Sequence, residues 1–469
     1  MQGVPGPHPA EFQPVAPGNL GHCGGKEMRK LNVLLLGWNG VDNTGSEAKL
    51  LVTIRDVKEA FGEKLGKLYV LVAGPSDERR YVKDPDIEII SIYPLLEGGL
   101  ENLYRLIWGD VYDVVVLCEG STFLDTYHDG FLWLFLLAAR LQHLRGRYTI
   151  SYSNDCSPMK FYNASASART LNRCIDLIMV RNPDAKKRMI QYGVTKEIHV
   201  TADGAYLYPT PPEEYRRTLL RHLGLGEKPI IAVAPKEFWG LLPITPKLYP
   251  KEGYKTINAM WNLEYGYVPI LSRKLPQPSY WLAVSPEGRK LSEQFKRDMA
   301  RFCDYLVERF GANILLIGMA AFEGDCENAR EIMELMKHRG EARWVPSFRY
   351  NVDDIKSLLV ESRFLITTRY HASVLSSSAG VPMIAISSDS RLEAVFRELD
   401  LMDFYIPVRV SPPEMPADLY DRLVGMMEAL AKREEEIRER IRKQDKIFVE
   451  RASQNRELLK KWVRERFGD

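Results

Sequence analysis

The sequence predicts two tandem doubly wound α/β domains followed by a long helical segment. Three observations predict it. Short apolar runs of strand length alternate with helical stretches, the signature of parallel sheets joined by helical crossovers. The alternation breaks at a Pro/Gly-rich stretch near Pro209–Pro212 and then restarts. From Pro416 to Phe467 apolar residues recur only at helical spacing. A chain of 469 residues is also too long for one ordinary domain.

Composition narrows the class. Hydrophobic residues make up 45% and mean hydropathy is −0.25, as in a globular protein with true cores. The net charge of +2 gives no reason to expect a nucleic-acid partner. Six scattered cysteines form neither a C-x-x-C pair nor a Cys/His cluster at zinc spacing. Reduced thiols in a cytoplasmic protein are the expectation. Residues 1–30 are rich in Pro, Gly and His, lack the apolar core of a signal peptide, and read as a disordered tail. The apolar run Phe131–Ala139 is too short to span a bilayer, so any membrane contact would be peripheral.

The first domain is expected over 31–208. Asn32–Gly37 is a buried strand running into a Gly-rich turn, with a helix from about Glu47 capped by Ser46. The turn is Rossmann-like without the full G-x-G-x-x-G, so a dinucleotide is weakly indicated. Gly37, Gly40 and Gly45 permit tight turning and close approach of backbone to a ligand. Further strands are expected at Leu68–Ala73, Glu88–Ile92, Asp113–Cys118, Tyr148–Tyr152, Asp176–Val180 and Ile198–Thr201. Carboxyl ends of parallel strands line one edge of the sheet. Glu119, Arg181 and Asp203 follow three such strands and should converge, with Asp125 close to the same edge.

The second domain is expected over 228–410, with strands at Pro229–Ala234, Ala312–Gly318, Arg343–Val345, Phe364–Thr367 and Met383–Ser387. An insertion at 236–285 interrupts it and holds nine aromatics, among them Phe238, Trp239, Tyr267 and Trp281. It reads either as a sugar-stacking acceptor lobe or as a subdomain with its own small aromatic core. The most informative stretch is Arg363–Asp389: a strand, then Arg369-Tyr370-His371, a helix over Ala372–Ala379, a Gly380 stop, and a second strand. Alone, Arg369-Tyr370-His371 reads equally as a helix cap with a surface ion pair or as an anion site. Residues 414–469 are expected as one long helix or two, packed back across the domains or against another subunit. Two doubly wound domains in tandem are the plan of the GT-B glycosyltransferase architecture, whose site lies in the cleft between domains.

Several of these stretches resemble one family, the polysaccharide pyruvyl transferases. Gly37-Trp38-Asn39-Gly40-Val41-Asp42-Asn43-Thr44-Gly45-Ser46-Glu47-Ala48 is similar to its G-W-x-G-x-x-N-x-G-D-E-A turn. Val180-Arg181-Asn182-Pro183 resembles its V-R-D/N segment and Val200-Thr201-Ala202-Asp203 its V-x-x-D. Arg369-Tyr370-His371 with Gly380-Val381-Pro382 resembles its R-L/Y-H…G-V-P signature. Three departures stand out: Cys118-Glu119-Gly120 for Gly-Gly-Gly, Ser46 where Asp is common, and Arg391 where Lys is common.

The resemblance implies transfer of the enolpyruvyl-derived unit of phosphoenolpyruvate onto sugar hydroxyls as a ketal. The acceptor class is a glycan or glycan precursor, such as a lipid-linked cell-envelope intermediate. It implies that Arg181, Arg369 and His371 hold phosphoenolpyruvate. Arg391, Asn43, Gly45 and Asp203 join them as candidate substrate-binding positions. His371 is the candidate general acid, and Asp125 or Glu119 the candidate acceptor of a hydroxyl proton. Neither cofactor nor metal is expected, because arginines can carry the charge stabilisation. Two alternatives remain: a GT-B nucleotide-sugar glycosyltransferase and a non-catalytic anion-binding relative. Assembly into a homo-oligomer is compatible with the helical segment.

Overall fold

The computed structural model describes residues 29–74, 76–92, 101–102, 104, 112–125, 129–236, 238–239, 242–244, 255–258, 267–270, 273–276, 281–284, 286–321, 323–410 and 412–468. The first sheet is parallel and seven-stranded, in the order β3-β2-β1-β4-β5-β6-β7. Its strands are β1 Leu31–Leu36, β2 Leu65–Val72, β3 Ile87–Ser91, β4 Val114–Leu117, β5 Tyr148–Asn154, β6 Leu177–Val180 and β7 His199–Val200. These are the expected strands, shifted by a residue or a few at their ends. The runs are apolar almost throughout because a parallel sheet is covered on both faces.

The helices of this domain are α1 Thr44–Phe61, α2 Asp129–Leu144, α3 Phe161–Cys174 and α4 Pro183–Gln191. Helix α1 begins three residues earlier than expected. Asn43, not Ser46, is its cap, accepting from the Gly45 and Ser46 amides. Helix α5 (Glu213–His222) joins the domains.

The second sheet has six parallel strands in the order β15-β14-β8-β16-β17-β18. They are β8 Ile230–Ala234, β14 Asn313–Gly318, β15 Ala342–Pro346, β16 Phe364–Thr367, β17 Met383–Ser387 and β18 Tyr405–Pro407. Strand β18 was not foreseen: three residues give too short a run to show a period. Between β8 and β14 run the short strands β9 Leu242–Ile244, β10 Lys255–Asn258, β11 Tyr267–Ile270, β12 Arg273–Pro276 and β13 Trp281–Val284. The acceptor-lobe reading of the insertion lies mostly outside the described residues. Phe238 and Trp239, its first two aromatics, are buried in the core of the second domain, and Trp239 Nε1 donates to the Arg409 carbonyl at 2.7 Å.

Helices α6 Pro286–Phe310, α7 Asp325–Leu335, α8 Val352–Val360, α9 Tyr370–Ser376 and α10 Ser390–Glu398 cover this sheet. Gly380 ends the α9 turn at φ +68°, a left-handed conformation that favours glycine. The C-terminal segment is two helices, α11 Leu419–Lys432 and α12 Glu434–Phe467. Helix α12 starts on the second domain, where Glu434 pairs with Arg363 at 2.8 Å. It ends on the first, where Trp462 packs edge-on to Tyr148 and Arg456 pairs with Glu59 at 2.9 Å. The five described cysteines are buried and unpaired.

Candidate functional site

In a doubly wound sheet the ligand crevice opens where the strand order reverses. In the first sheet that point lies between β1 and β4, in the second between β8 and β16. The segments leaving those four strands carry the Gly-rich turn, Glu119, Lys236 and Arg369. They meet in the cleft between the domains. Thr44 N donates to the Met319 carbonyl at 2.9 Å, and Ser347 Oγ to the Asp42 carbonyl at 2.6 Å.

The first domain contributes Arg181 at the end of β6. Nη1 donates to Asp203 Oδ2 at 2.8 Å and Nη2 to Asp155 Oδ2 at 3.0 Å, and the guanidinium lies 4.9 Å over the Tyr370 ring. Its side chain is 1% exposed, so it acts on the site through its partners. Burial opposes its charge, and Asp155, Tyr370 and Asp203 outweigh that, so its pKa rises. Asp155 reaches it because β5 is irregular between Ser151 and Asn154, with Ser153 at φ +52°. Such bulges re-aim a side chain at a strand end. Gly120 passes Arg181 so closely that any side chain there would meet the guanidinium. Helix α12 supports the same corner from behind. Asn455 Nδ2 donates to the Ala202 carbonyl at 2.9 Å and Arg451 Nη2 to the Thr201 carbonyl at 3.1 Å.

The second domain contributes Arg369, His371 and Arg391. Arg369 Nη1 donates to Glu323 Oε2 at 2.8 Å, and Nη2 to Asp325 Oδ1. Arg391 Nε donates to Asp389 Oδ1 at 2.7 Å, and Nη1 crosses the cleft to Ser121 Oγ at 2.8 Å. Tyr370 lies between the Arg181 guanidinium and that of Arg391, which is 5.8 Å from its ring. His371 Nε2 stands 3.7 Å from Asp203 Oδ2, an ion-pair distance and too long for a hydrogen bond. Its other ring edge lies on Gly45, where a Cβ would overlap Nδ1. Glycine is therefore required at 45 for His371 to hold its place.

Four groups are electrostatically distinctive. Burial would raise the Asp203 carboxyl, but His371, Lys49 and Arg181 hold it well below the usual range. Burial lowers the His371 imidazole, against the pull of Asp203. Glu323, half-buried, is held down at about 2, chiefly by Arg369 and Lys236. Asp325 is pushed up to about 6 by burial, which Arg369 does not fully offset. Its Oδ2 makes no hydrogen bond among the described residues. No described set of three or more His, Cys, Asp or Glu is arranged to hold a metal ion.

The structure thus brings Arg181, Asp203, Gly45, His371, Arg369 and Arg391 together across one cleft. Glu119 joins them, with Oε2 3.4 Å from both Ser46 Oγ and Trp38 N. Asn43 is there as the α1 cap, its Nδ2 3.4 Å from Glu323 Oε1. Asp125 is placed at the start of α3, where its Oδ2 accepts from Lys160 N and Asn163 Nδ2, both at 2.8 Å. Asp155, Glu323 and Asp325 went unforeseen. All three follow strands, β5 and β14, so the strand-end rule extended a few residues would have found them.

A family model described as polysaccharide pyruvyl transferase matches residues 43–390. No curated protein matches the chain. Among solved structures, the chain is similar to a UDP-GlcNAc 2-epimerase from Neisseria meningitidis bound to UDP-GlcNAc. Identity is 10%, with 90% of this chain and 100% of that one covered, at a TM-score of 0.51. It is also similar to an S. aureus MnaA–UDP co-structure, at 9% identity, 88% and 91% coverage and a TM-score of 0.51. These likenesses show the GT-B-like fold. The chain belongs to the polysaccharide pyruvyl transferase family and is a glycan-modifying transferase.

Proposed function

We propose, with that membership as premise, that the chain moves the pyruvyl unit of phosphoenolpyruvate onto two hydroxyls of a glycan or glycan precursor as a ketal. The observation that carries the reading is the convergence of Arg369, Arg391 and His371 of the second domain on Gly45 and Glu119 of the first. Phosphoenolpyruvate presents a phosphate and a carboxylate, which planar guanidinium forks suit. Arg369 and Arg391, at 12% and 17% side-chain exposure, are partly exposed cations at the cleft.

A proton delivered to the enol methylene leaves an oxocarbenium-like centre at C2. One sugar hydroxyl adds there, phosphate leaves, and the second hydroxyl closes the ketal. Of the two hydroxyl protons, one balances the methyl hydrogen gained and the other leaves with phosphate. His371 is the acid in this scheme: a dianionic phosphate beside the ring raises the pKa that burial lowers. Glu119 is the base, because it lies at the cleft while Asp125 holds α3. Five buried, unpaired cysteines fit a reducing compartment such as the cytoplasm.

The test is phosphate release from phosphoenolpyruvate across a panel of glycan acceptors, with mass spectrometry of the products. Phosphoenolpyruvate should raise Tm and uridine diphosphate should not; the reverse would point to a nucleotide-sugar transferase. A His371→Ala variant should lose turnover. Full activity in that variant removes the acid role.

A further inference from the structure

Helices α2, α3 and α4 connect β4, β5, β6 and β7, strands added to the sheet in one direction. Right-handed crossovers place all three on one face, and α1, which leads the other way, on the opposite face with α12. α2 and α3 run side by side: Trp133 Nε1 donates to Asn163 Oδ1 at 3.1 Å, and Arg140 Nε to Thr170 Oγ1 at 2.9 Å. The inner side of this layer is core, with Phe135, Leu136, Leu171 and Met189 buried against the sheet.

The outer side is unusual for a solvated helix layer. Phe161 is 87% exposed, Leu144 80%, Ile190 54%, Tyr162 51% and Leu137 49%. These five are nearly half of the exposed large hydrophobics among the described residues and include the two most exposed. Leu137 and Leu144, seven apart, share one side of α2. The same stretch is strongly basic. Between Asp129 and Lys196 eleven lysines and arginines stand against four acids, in a chain whose whole net charge is +2. Lys160, Arg169, Arg173 and Lys187 are exposed among the apolar side chains, with Lys160 Nζ 5.9 Å from the Tyr162 ring.

We propose that the outer face of α2, α3 and α4 docks on a lipid bilayer rich in anionic headgroups. Basic side chains draw such a surface in, aromatics settle at the headgroup level, and aliphatic side chains enter the acyl boundary. A nucleic acid would use the charges but would gain nothing from Leu137, Leu144 and Ile190, which have no flat face for bases to stack on. Phe161 and Tyr162 open α3, so they lie at the cleft end of the layer. Docking therefore puts the cleft beside the membrane, where a lipid-carried acceptor would stand; that consequence, unlike the docking, rests on the proposed reaction.

The test is co-sedimentation of the full chain with phosphatidylcholine vesicles, with and without phosphatidylglycerol, at low and high salt. Binding should need the anionic lipid and fall off with salt. A Lys160→Glu/Lys187→Glu variant should bind about tenfold more weakly, and Leu144→Ser/Phe161→Ser should lose the salt-resistant part. Both variants should keep the wild-type Tm and wild-type phosphate release with a soluble acceptor, since they alter only surface side chains. Three results would each overturn the proposal: no binding to anionic vesicles at low salt, variants that bind like wild type, or single-stranded RNA binding that is indifferent to Leu144→Ser/Phe161→Ser.

Discussion

Arg181 and Arg369 each stand just past a parallel strand, β6 next to the edge of the first sheet and β16 at the centre of the second, and each is held by two acids, yet their clamps differ in kind. Around Arg181 the acids are Asp203 and Asp155, and the guanidinium is sealed from solvent. The Asp203 carboxyl is held well below the usual range because His371, Lys49 and Arg181 all face it. Around Arg369 the acids are Glu323, at about 2, and Asp325, at about 6. That guanidinium reaches the cleft edge. The first clamp is a fixed scaffold. The second keeps one carboxyl that exchanges its proton near neutrality, beside the place where anion chemistry is proposed. Two similar constellations can thus serve positioning and proton exchange separately, the difference being set by burial and by the number of cations each acid faces.

The largest effect should come from breaking the scaffold. Asp203→Ala leaves a buried guanidinium with one carboxylate fewer, and it removes the Ala205 amide's acceptor at 2.9 Å. Losing one partner of a buried pair costs roughly 3 to 5 kcal/mol. Urea unfolding should show that loss; a change under about 1 kcal/mol would mean the first clamp is no scaffold.

The joint between the clamps comes next. In Gly45→Ala the new methyl meets the His371 ring, so either α1 or the imidazole must move. Overpacking of this sort costs about 1 to 3 kcal/mol. Phosphate release should fall by roughly 100-fold if His371 is displaced from its working position. Gly204→Ala is the control, because its Cβ would meet Val52 at an ordinary 3.6 Å. Equal behaviour of the two variants would show that the contact with His371 does not matter.

How much of this was legible depended on the type of signal. Arg181 and Arg369 were, because each follows an unbroken apolar run: Leu177–Val180 and Phe364–Thr367. Asp155 was not. Its strand ends in Ser151-Tyr152-Ser153-Asn154, which looks polar and therefore finished, although the structure buries all four. Glu323 lies five residues past β14 and Asp325, the first residue of α7, seven, so both fall beyond the residues that directly follow the strand. Asn43 and Ser46 are both good caps, and sequence cannot rank two caps three residues apart. Asp125 has the right residue type near the right edge, but its partners on α3 are set by how the helix packs. The interdomain reach of α12 was expected; its support of the Asp203 corner through Arg451 and Asn455 was not.

The second clamp is tested through pH. The folded-state pKa of Asp325 is raised from 3.8 to about 6. A raised acid binds its proton more tightly folded than unfolded, so its contribution is full below the unfolded pKa and is lost as pH rises through about 6. Asp325→Asn removes that titration. The Tm of the variant minus that of wild type should therefore move in the variant's favour between about pH 4 and pH 7, then stay flat. A difference that is level across the whole range would show that Asp325 is ionised throughout, and the two clamps would then be alike.

The smallest effect is expected at Arg391, the cation that belongs to neither clamp. It pairs with the carboxylate of Asp389 and donates across the cleft to Ser121 Oγ at 2.8 Å. Ser121→Ala removes one hydrogen bond to a partly exposed charge, so the loss in stability should stay near or below 1 kcal/mol. Its larger mark should be kinetic. Without the Ser121 link Arg391 is freer to swing, so KM for phosphoenolpyruvate should shift by roughly two- to fivefold with kcat little changed. If kcat falls with KM unchanged, Ser121 acts in the transition state and Arg391 is part of the reacting cluster. If neither moves, the Ser121 link does not position Arg391, and the cleft is held by contacts such as Gly45–His371, Thr44–Met319 and Ser347–Asp42.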